Sequence, residues 1–380
     1  MNTKYLWIIL GFITVVVICV FIFFQQQSTE QITGVWLWGS TVRENGAETI
    51  AEKLHKYNFN TVFLLIKGKN GIAEYQSNVA LECIPERDVL KEMIDACKQK
   101  GIRVHAWIVV NTDAKWISTH PYDAFYHTGN PVEGKPNPYP VEDRVCPLSE
   151  EYRQYIKSII QEIISRYEVD GIHLDYIRYP QYAYCFCPEH YKKAKNLGIN
   201  IENVRNAIRK TEFDVNKDPQ YYFNQYTAGD PDITQWVTMR IEEITSFVKE
   251  VKALIDSSHK AVKLSSALMP EGGEIDDTFA LCHYAQNYAK LGELLDFICP
   301  MSYHVEYKKP PEWPSEIARN TENKTGKPAY AGIGAFGNAT VDDVLDAITQ
   351  CKKQKIHGFV LFRYGTITDE MWNALTMPVR

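Results

Sequence analysis

Positive charge is in short supply in this chain: 41 Lys and Arg stand against 47 Asp and Glu, a formal net charge of −6. Such a balance projects no basic field toward a phosphate backbone, so nucleic acid is not an expected partner. A phosphate-type glycine loop between strand and helix is also missing, which removes the main signature of a nucleotide-binding sheet. No His-x-His pair stands in the first apolar strand and no ordered run of acids follows it. A catalytic metal and a bound cofactor are therefore not expected.

Cysteine is present but poorly organised for either disulfides or metal. Nine Cys occur, and Cys19 lies in the apolar N-terminal run. Of the others, Cys97, Cys299 and Cys351 fall at core-facing positions, where a free thiol behaves as a small hydrophobe. The stretch Cys185-Phe186-Cys187-Pro188-Glu189-His190 has ligand-like spacing. A single close cluster without a second ligand pair reads as a plain loop.

What the chain does have is ordinary globular composition, 45% hydrophobic and 23% charged, with an aromatic share of 12%. The 380 residues are enough for a large core, and α/β barrels of this size form single domains. Aromatic residues in that number serve a core, and also suit a cleft that stacks flat apolar faces.

Close to the N-terminus stands a run of 20 uncharged residues, Tyr5 to Phe24, the length a helix needs to cross about 30 Å of hydrocarbon. A cleaved signal peptide is the alternative, but no Ala-x-Ala site follows, only Gln25-Gln26-Gln27-Ser28. Val17 and Ile18 are too large for a good lipoprotein site at Cys19. Lys4 and the amino terminus favour the cytoplasmic side, which places residues 31–380 outside the membrane. The expected organisation is thus a stub, transmembrane anchor and linker over 1–30, then one extracytoplasmic domain over 31–380.

Within that domain eight short runs rich in Val, Ile and aromatics alternate with segments of helical periodicity. The runs are 34–40, 61–68, 103–111, 170–179, 263–269, 296–303, 328–336 and 357–365. Ile156, Ile159, Ile160, Ile163 and Ile164 show the helical spacing between two of them. Eight strand–helix units predict a closed (β/α)8 TIM barrel, with a doubly wound sheet as the competitor. Turns from helix back to strand are short, whereas residues 112–148 and 181–233 are long connections leaving strand C-termini. In a barrel that is the face on which active sites are built.

Polar side chains gather at those same strand ends. Lys67, Asn111, Asp175, Arg178, Tyr303, His304 and Arg363 stand there, with Trp36, Trp38, His105 and Trp107 on neighbouring strands. By the two-residue period His173, Asp175 and Ile177 share one face of the fourth strand, while Ile172 and Leu174 face the helices. An ionisable group aimed into a barrel mouth is costly to desolvate without a partner, so it marks a candidate site. The competing reading of Asp175 is an ion pair with Arg178 or Lys67 that ties strand ends together. His173 has the composition of an interior histidine as much as of a functional one.

VDGIHLDYIRYP (169–180) resembles the fourth-strand signature of the glycosyl-hydrolase-like family 10 proteins. DFICPMSYH (296–304), GIGAF (332–336) and GFVLFRYG (358–365) resemble that family's last three strands, and VHAWIVVN (104–111) its third. The resemblance implies a barrel hydrolase acting on a polysaccharide or glycan. A more distant likeness is to family 18 chitinases, where Asp170, Gly171 and Asp175 fit the fourth-strand motif. His173 and Ile177 replace an acid and the catalytic Glu, so a chitinase of that type is not expected.

Glycoside hydrolysis usually needs two carboxyl groups, one to protonate the leaving oxygen and one to attack or activate water. Asp175 is the candidate nucleophile or base. Glu271, just beyond the fifth strand, is the candidate acid, with Glu274, Glu306 and Asp113 as rivals. Trp36, Trp38, Trp107 and Tyr303 would wall a sugar site, and Lys67, His105, Asn111, His173, Arg178, His304 and Arg363 would bind hydroxyls or orient carboxylates. Two other classes stay open: a non-catalytic glycan-binding barrel of the cell envelope, and a metal-dependent deacetylase or amidase.

Overall fold

A computed structural model describes residues 30–84, 86–129 and 137–375. The proposed anchor Tyr5–Phe24 lies outside the described residues; among them, no helix is long and apolar enough to cross a membrane.

The barrel strands are β1 (Ile32–Trp38), β2 (Thr61–Lys67), β3 (Arg103–Val109), β4 (Gly171–Asp175), β5 (Lys263–Leu268), β6 (Phe297–Pro300), β7 (Ala331–Gly334) and β8 (Gly358–Phe362). All pair in parallel in the order β6-β5-β4-β3-β2-β1-β8-β7. The two ends of that path meet, because Ile298 of β6 bridges to Ala329 just ahead of β7. The Ile298 amide donates to the Pro328 carbonyl at 3.0 Å, and the Tyr330 amide to the Ile298 carbonyl at 2.9 Å. This closure rules out the doubly wound sheet and leaves a (β/α)8 barrel.

Around it run α1 (Ala47–Lys56), α2 (Val89–Lys98), α3 (Glu150–Arg166), α4 (Pro231–Ser257), α5 (Tyr288–Gly292), α6 (Trp313–Thr325), α7 (Val341–Lys353) and α8 (Asp369–Ala374). Their starts are chemically marked. Asp88 and Ser149 accept hydrogen bonds from the first-turn amides of Lys91 and Tyr152, Asp230 caps α4 ahead of Pro231, and Thr340 with Asp343 forms a capping box. The five Ile of α3 are all buried, each stabilising the fold by about 1.5–3 kcal/mol.

The strand period of two sorts side chains into two layers. Val62, Leu64, Ile66, Ile172 and Leu174 join the large cluster beneath the helices. Trp36, Phe63, Trp107, Phe297 and Val360 form the separate cluster inside the barrel. Tight packing inside explains one glycine: a Cβ on Gly171 would stand 2.1 Å from Nδ1 of His105.

The long connections after β3 and β4 are structured rather than loose. The first carries a helix (Ala114–Thr119) and two antiparallel strands (Ala124–His127 and Tyr139–Val145), and the second three helices (Pro188–Asn196, Ile201–Ile208 and Tyr221–Thr227). They pack on each other: the Phe186 amide donates to the Tyr126 carbonyl at 2.9 Å, and Arg205 Nε to Thr128 Oγ1 at 2.8 Å.

Candidate active site

Strand β4 ends at Asp175 because Tyr176 adopts a left-handed backbone, φ 56°, a conformation uncommon for a bulky residue and concentrated at functional sites. The break resets the alternation. Ile177, expected on the face of Asp175, packs instead into the layer beneath the helices. Arg178 returns to the carboxylate.

Asp175 is buried. Its Oδ2 accepts from Trp107 Nε1 at 3.2 Å, and its Oδ1 from the Tyr176 amide at 2.7 Å and from Arg178 Nη1 at 3.4 Å. Burial pushes the carboxyl above its ordinary range, with Arg178, the two hydrogen-bond donors and Lys69 opposing.

The carboxylate opens on a cavity of about 680 Å³ at the C-terminal ends of the strands. Trp38, Trp107, Tyr176, Tyr303, Tyr307 and Phe362 supply its aromatic walls, and Arg43, Lys69, Asn70, Glu74 and Arg178 its polar ones. The guanidinium of Arg363 lies 3.6 Å from the centroid of the Trp38 ring. Lys69 and Arg178 both approach the Tyr176 ring, 4.8 and 4.1 Å from its centroid. Glu74 pairs with Arg43 and passes so close to Gly39 that a Cβ there would lie 2.7 Å from Glu74 Cγ. A side chain at position 39 would force Glu74 to move.

Glu271 sits in the short turn Pro270–Gly273 that follows β5. Burial raises its carboxyl, while its own backbone amide, Arg178 and the Tyr307 hydroxyl oppose the rise. Arg178 therefore acts electrostatically on both candidate carboxyls. The rivals are otherwise engaged: Glu274 accepts from Trp313 Nε1 at 2.9 Å, Asp113 pairs with Lys67, and Glu306 is exposed.

Several residues expected at the site lie elsewhere. Phe63 and Leu65 point into the barrel, and a strict two-residue period would send Lys67 there as well. A register shift between Leu65 and Lys67 breaks the period. Lys67 is instead sealed against Asp113 at 2.8 Å, the Val109 carbonyl at 3.2 Å and the Tyr152 hydroxyl at 3.3 Å. Asn111 is buried and ties the connection to β3 through the Val145 carbonyl at 3.2 Å. His304 is buried off the cavity wall.

Trp36, His105 and His173 form the interior below the cavity. Trp36 Nε1 donates to His173 Nε2 at 3.1 Å, which leaves the proton on Nδ1 to donate to Ser265 Oγ at 2.9 Å. Burial lowers both imidazoles, His105 to about 3, so both are neutral parts of the packing. Sequence reasoning missed Arg43, Lys69, Glu74, Tyr176 and Tyr307. Arg43 stands in the short helix Gly39–Asn45 directly after β1, while Lys69, Glu74 and Tyr307 lie in or beside loops, where periodicity says nothing about direction.

Among the described residues, one group has the composition of a metal site. Cys146, Cys185, Cys187 and His190 are all buried, with their ligand atoms within 4.8 Å of one another. Cys146, from the other long connection, supplies the ligand that the 185–190 spacing lacks. The 185–190 stretch is therefore part of a four-residue cluster whose geometry could hold a metal ion.

A closed parallel barrel whose strand-end cavity combines one buried carboxyl, Asp175, with aromatic walls, and has the half-buried Glu271 outside its lining, is an architecture found in glycoside-hydrolase-like proteins. The model of the family Glycosyl hydrolase-like 10 matches residues 26–309, and the chain belongs to that family. The match ends ahead of β7. Glycosyl hydrolase DigH of Escherichia coli strain K12 is 24% identical over 191 residues, which cover 40% of this chain and 42% of DigH. The chain thus spans less than half the length of that relative. The glycoside hydrolase domain of PgaB (BpsB) from Bordetella bronchiseptica superposes with a TM-score of 0.69 at 12% identity, over 91% of this chain and 98% of that domain. Alpha-L-fucosidase isoenzyme 2 from Paenibacillus thiaminolyticus gives 0.60 at 15% identity, over 91% and 48%. These likenesses establish the fold.

Proposed function

We propose that the protein is a glycoside hydrolase that cleaves an extracytoplasmic polysaccharide or glycan in the strand-end cavity. One observation carries the reading: Asp175, buried at the end of β4 and held by three donors, faces an aromatic-walled cavity of about 680 Å³. Family membership and the glycosidases among the structural relatives support it.

In this mechanism Asp175 attacks the anomeric carbon or activates the water that does. Its fixed hydrogen bonds aim it and stabilise its charge as the substrate excludes solvent. Glu271, its pKa raised by burial, is the candidate donor of the proton that the leaving oxygen needs. Arg178 opposes the rise that burial causes in both carboxyls. Trp38, Trp107 and Tyr303 stack sugar faces, and the Arg43–Glu74 pair presents hydrogen-bonding groups to hydroxyls.

The direct test is a panel of glycans and aryl glycosides offered to the purified parent and to Glu271→Gln. The parent is expected to hydrolyse at least one class. Glu271→Gln should slow poor leaving groups by about 10²–10⁴-fold and leave activated aryl glycosides nearly unaffected. Equal slowing of both would remove Glu271 from the acid role, and binding without hydrolysis across the panel would favour the glycan-binding barrel.

We further propose that Tyr5–Phe24 anchors the barrel at a membrane with its bulk outside. Full-length protein should then resist carbonate extraction and be digestible from the outside. A mature chain starting near Ser28 in the soluble fraction would contradict the anchor.

A further inference from the structure

Among the described residues, a thiol–imidazole cluster lies between the two long connections, apart from the candidate active site. Cys146 Sγ lies 3.8 Å from Cys187 Sγ and 3.5 Å from His190 Nδ1, and Cys187 Sγ lies 3.1 Å from the same nitrogen. Tetrahedral zinc with Zn–S of about 2.3 Å and Zn–N of about 2.0–2.1 Å requires sulfur–sulfur edges of ~3.8 Å and sulfur–nitrogen edges of ~3.5 Å. Two of the three observed edges have those lengths, and all four ligand atoms fit within 4.8 Å. Disulfide bonding needs sulfurs about 2.05 Å apart, and all four of these side chains are buried with the three thiols free.

The surroundings of His190 point the same way. Its Nε2 lies 3.0 Å from Glu243 Oε2 and 2.8 Å from the Tyr179 hydroxyl, which itself donates to that carboxylate oxygen. A proton on Nε2 satisfies Glu243 and turns the Nδ1 lone pair toward the thiols. A carboxylate behind a ligating imidazole is the usual outer partner of a zinc histidine. Glu243 is held in turn by Lys193, whose Nζ is 3.1 Å from Oε1.

We propose that Cys146, Cys185, Cys187 and His190 bind one structural zinc ion. Binding converts three thiols to thiolates and releases their three protons, while the imidazole stays neutral. Four protein ligands close the tetrahedron and leave no open position for chemistry. The ion would staple the connection after β3 to the connection after β4, against α4. Tyr179, hydrogen-bonded into the cluster, follows directly on Arg178 at the candidate active site. The staple would therefore fix the loop that carries that arginine.

The test uses the purified full-length chain, prepared without chelator and dialysed against zinc chloride. One tightly held zinc per chain is expected by elemental analysis, and none in Cys146→Ser. Replacement by cobalt(II) should give an intense thiolate-to-metal band with the visible absorption of a tetrahedral site, which reads the parent directly if the Cys146 variant does not fold. Glu243→Gln should keep the stoichiometry but weaken zinc binding by roughly 10–100-fold. Only trace zinc in the folded parent, a cobalt spectrum without the thiolate band, or a disulfide among Cys146, Cys185 and Cys187 in the folded protein would overturn the proposal.

Discussion

Two aspartate–cation pairs stand at neighbouring strand ends of this barrel, and they differ in what surrounds them. Lys67 and Asp113 meet at 2.8 Å with both side chains at 0% exposure. The remaining groups of the pair are satisfied by protein: the Val109 carbonyl, the Tyr152 hydroxyl and the Trp116 amide. Arg178 and Asp175 meet at a looser 3.4 Å with 12% and 6% exposure, and both line the cavity. Buried charge alone therefore does not mark a site. The sealed pair is a fastener between β2 and the connection after β3, whereas the open pair keeps its carboxylate facing space that a ligand can fill.

Removing one member of the sealed pair has the largest expected effect. Lys67→Met strands Asp113 in the interior and should cost about 3–5 kcal/mol of stability. Denaturant melts should show that loss, while molecules that remain folded hydrolyse at the parent rate. A parent-like melt would mean that the pair is not a fastener.

Next in size is Arg178→Met. It removes the positive charge that holds both carboxyls down, so both limbs of the kcat/KM profile should move to higher pH, by about one unit or more. A profile that loses height but keeps its position would assign Arg178 to substrate binding alone.

The pH dependence of stability sharpens the contrast further. Asp175 has a folded-state pKa raised above its unfolded value. The stability linked to its proton is thus fully present below the unfolded pKa and lost as pH rises through the folded one. Asp175→Asn should remove that loss, so the variant is expected to melt at or above the parent temperature at neutral pH. A melt well below the parent would make Asp175 chiefly a strand-end fastener, like Asp113.

The smallest effect belongs to the walls. Trp38→Ala should raise KM about 2–10-fold with little change in kcat, the scale of one aromatic contact. An equal loss in kcat would place Trp38 nearer the reacting bond.

How much of this was legible beforehand depended on whether a residue lay inside a regular element. All eight strands were readable because Val, Ile and aromatic residues alternate there in runs bounded by turns, and the Ile pattern of α3 gave the helical period. Asp175 was legible as an ionisable residue at a strand end. The errors came where regularity breaks. The register shift beside Lys67 and the left-handed Tyr176 each reset a two-residue count, so Lys67 and Ile177 point away from their expected faces. Glu74 and Tyr307 reach the cavity from loops, and Cys146 joins Cys187 across 41 positions. Long-range contacts between irregular segments leave no local periodic trace.

The open and the sealed aspartate have different roles, and one paired measurement tests that difference directly. Asp175→Asn and Asp113→Asn, side by side, are melted and assayed for turnover on the same glycan below both melting points. Asp175→Asn is expected to lose at least about 10³-fold in kcat while keeping the parent melting temperature. Asp113→Asn should melt markedly lower yet turn over at the parent rate. Parent-rate hydrolysis by Asp175→Asn, or selective loss of turnover in Asp113→Asn at an unchanged melting temperature, would contradict it.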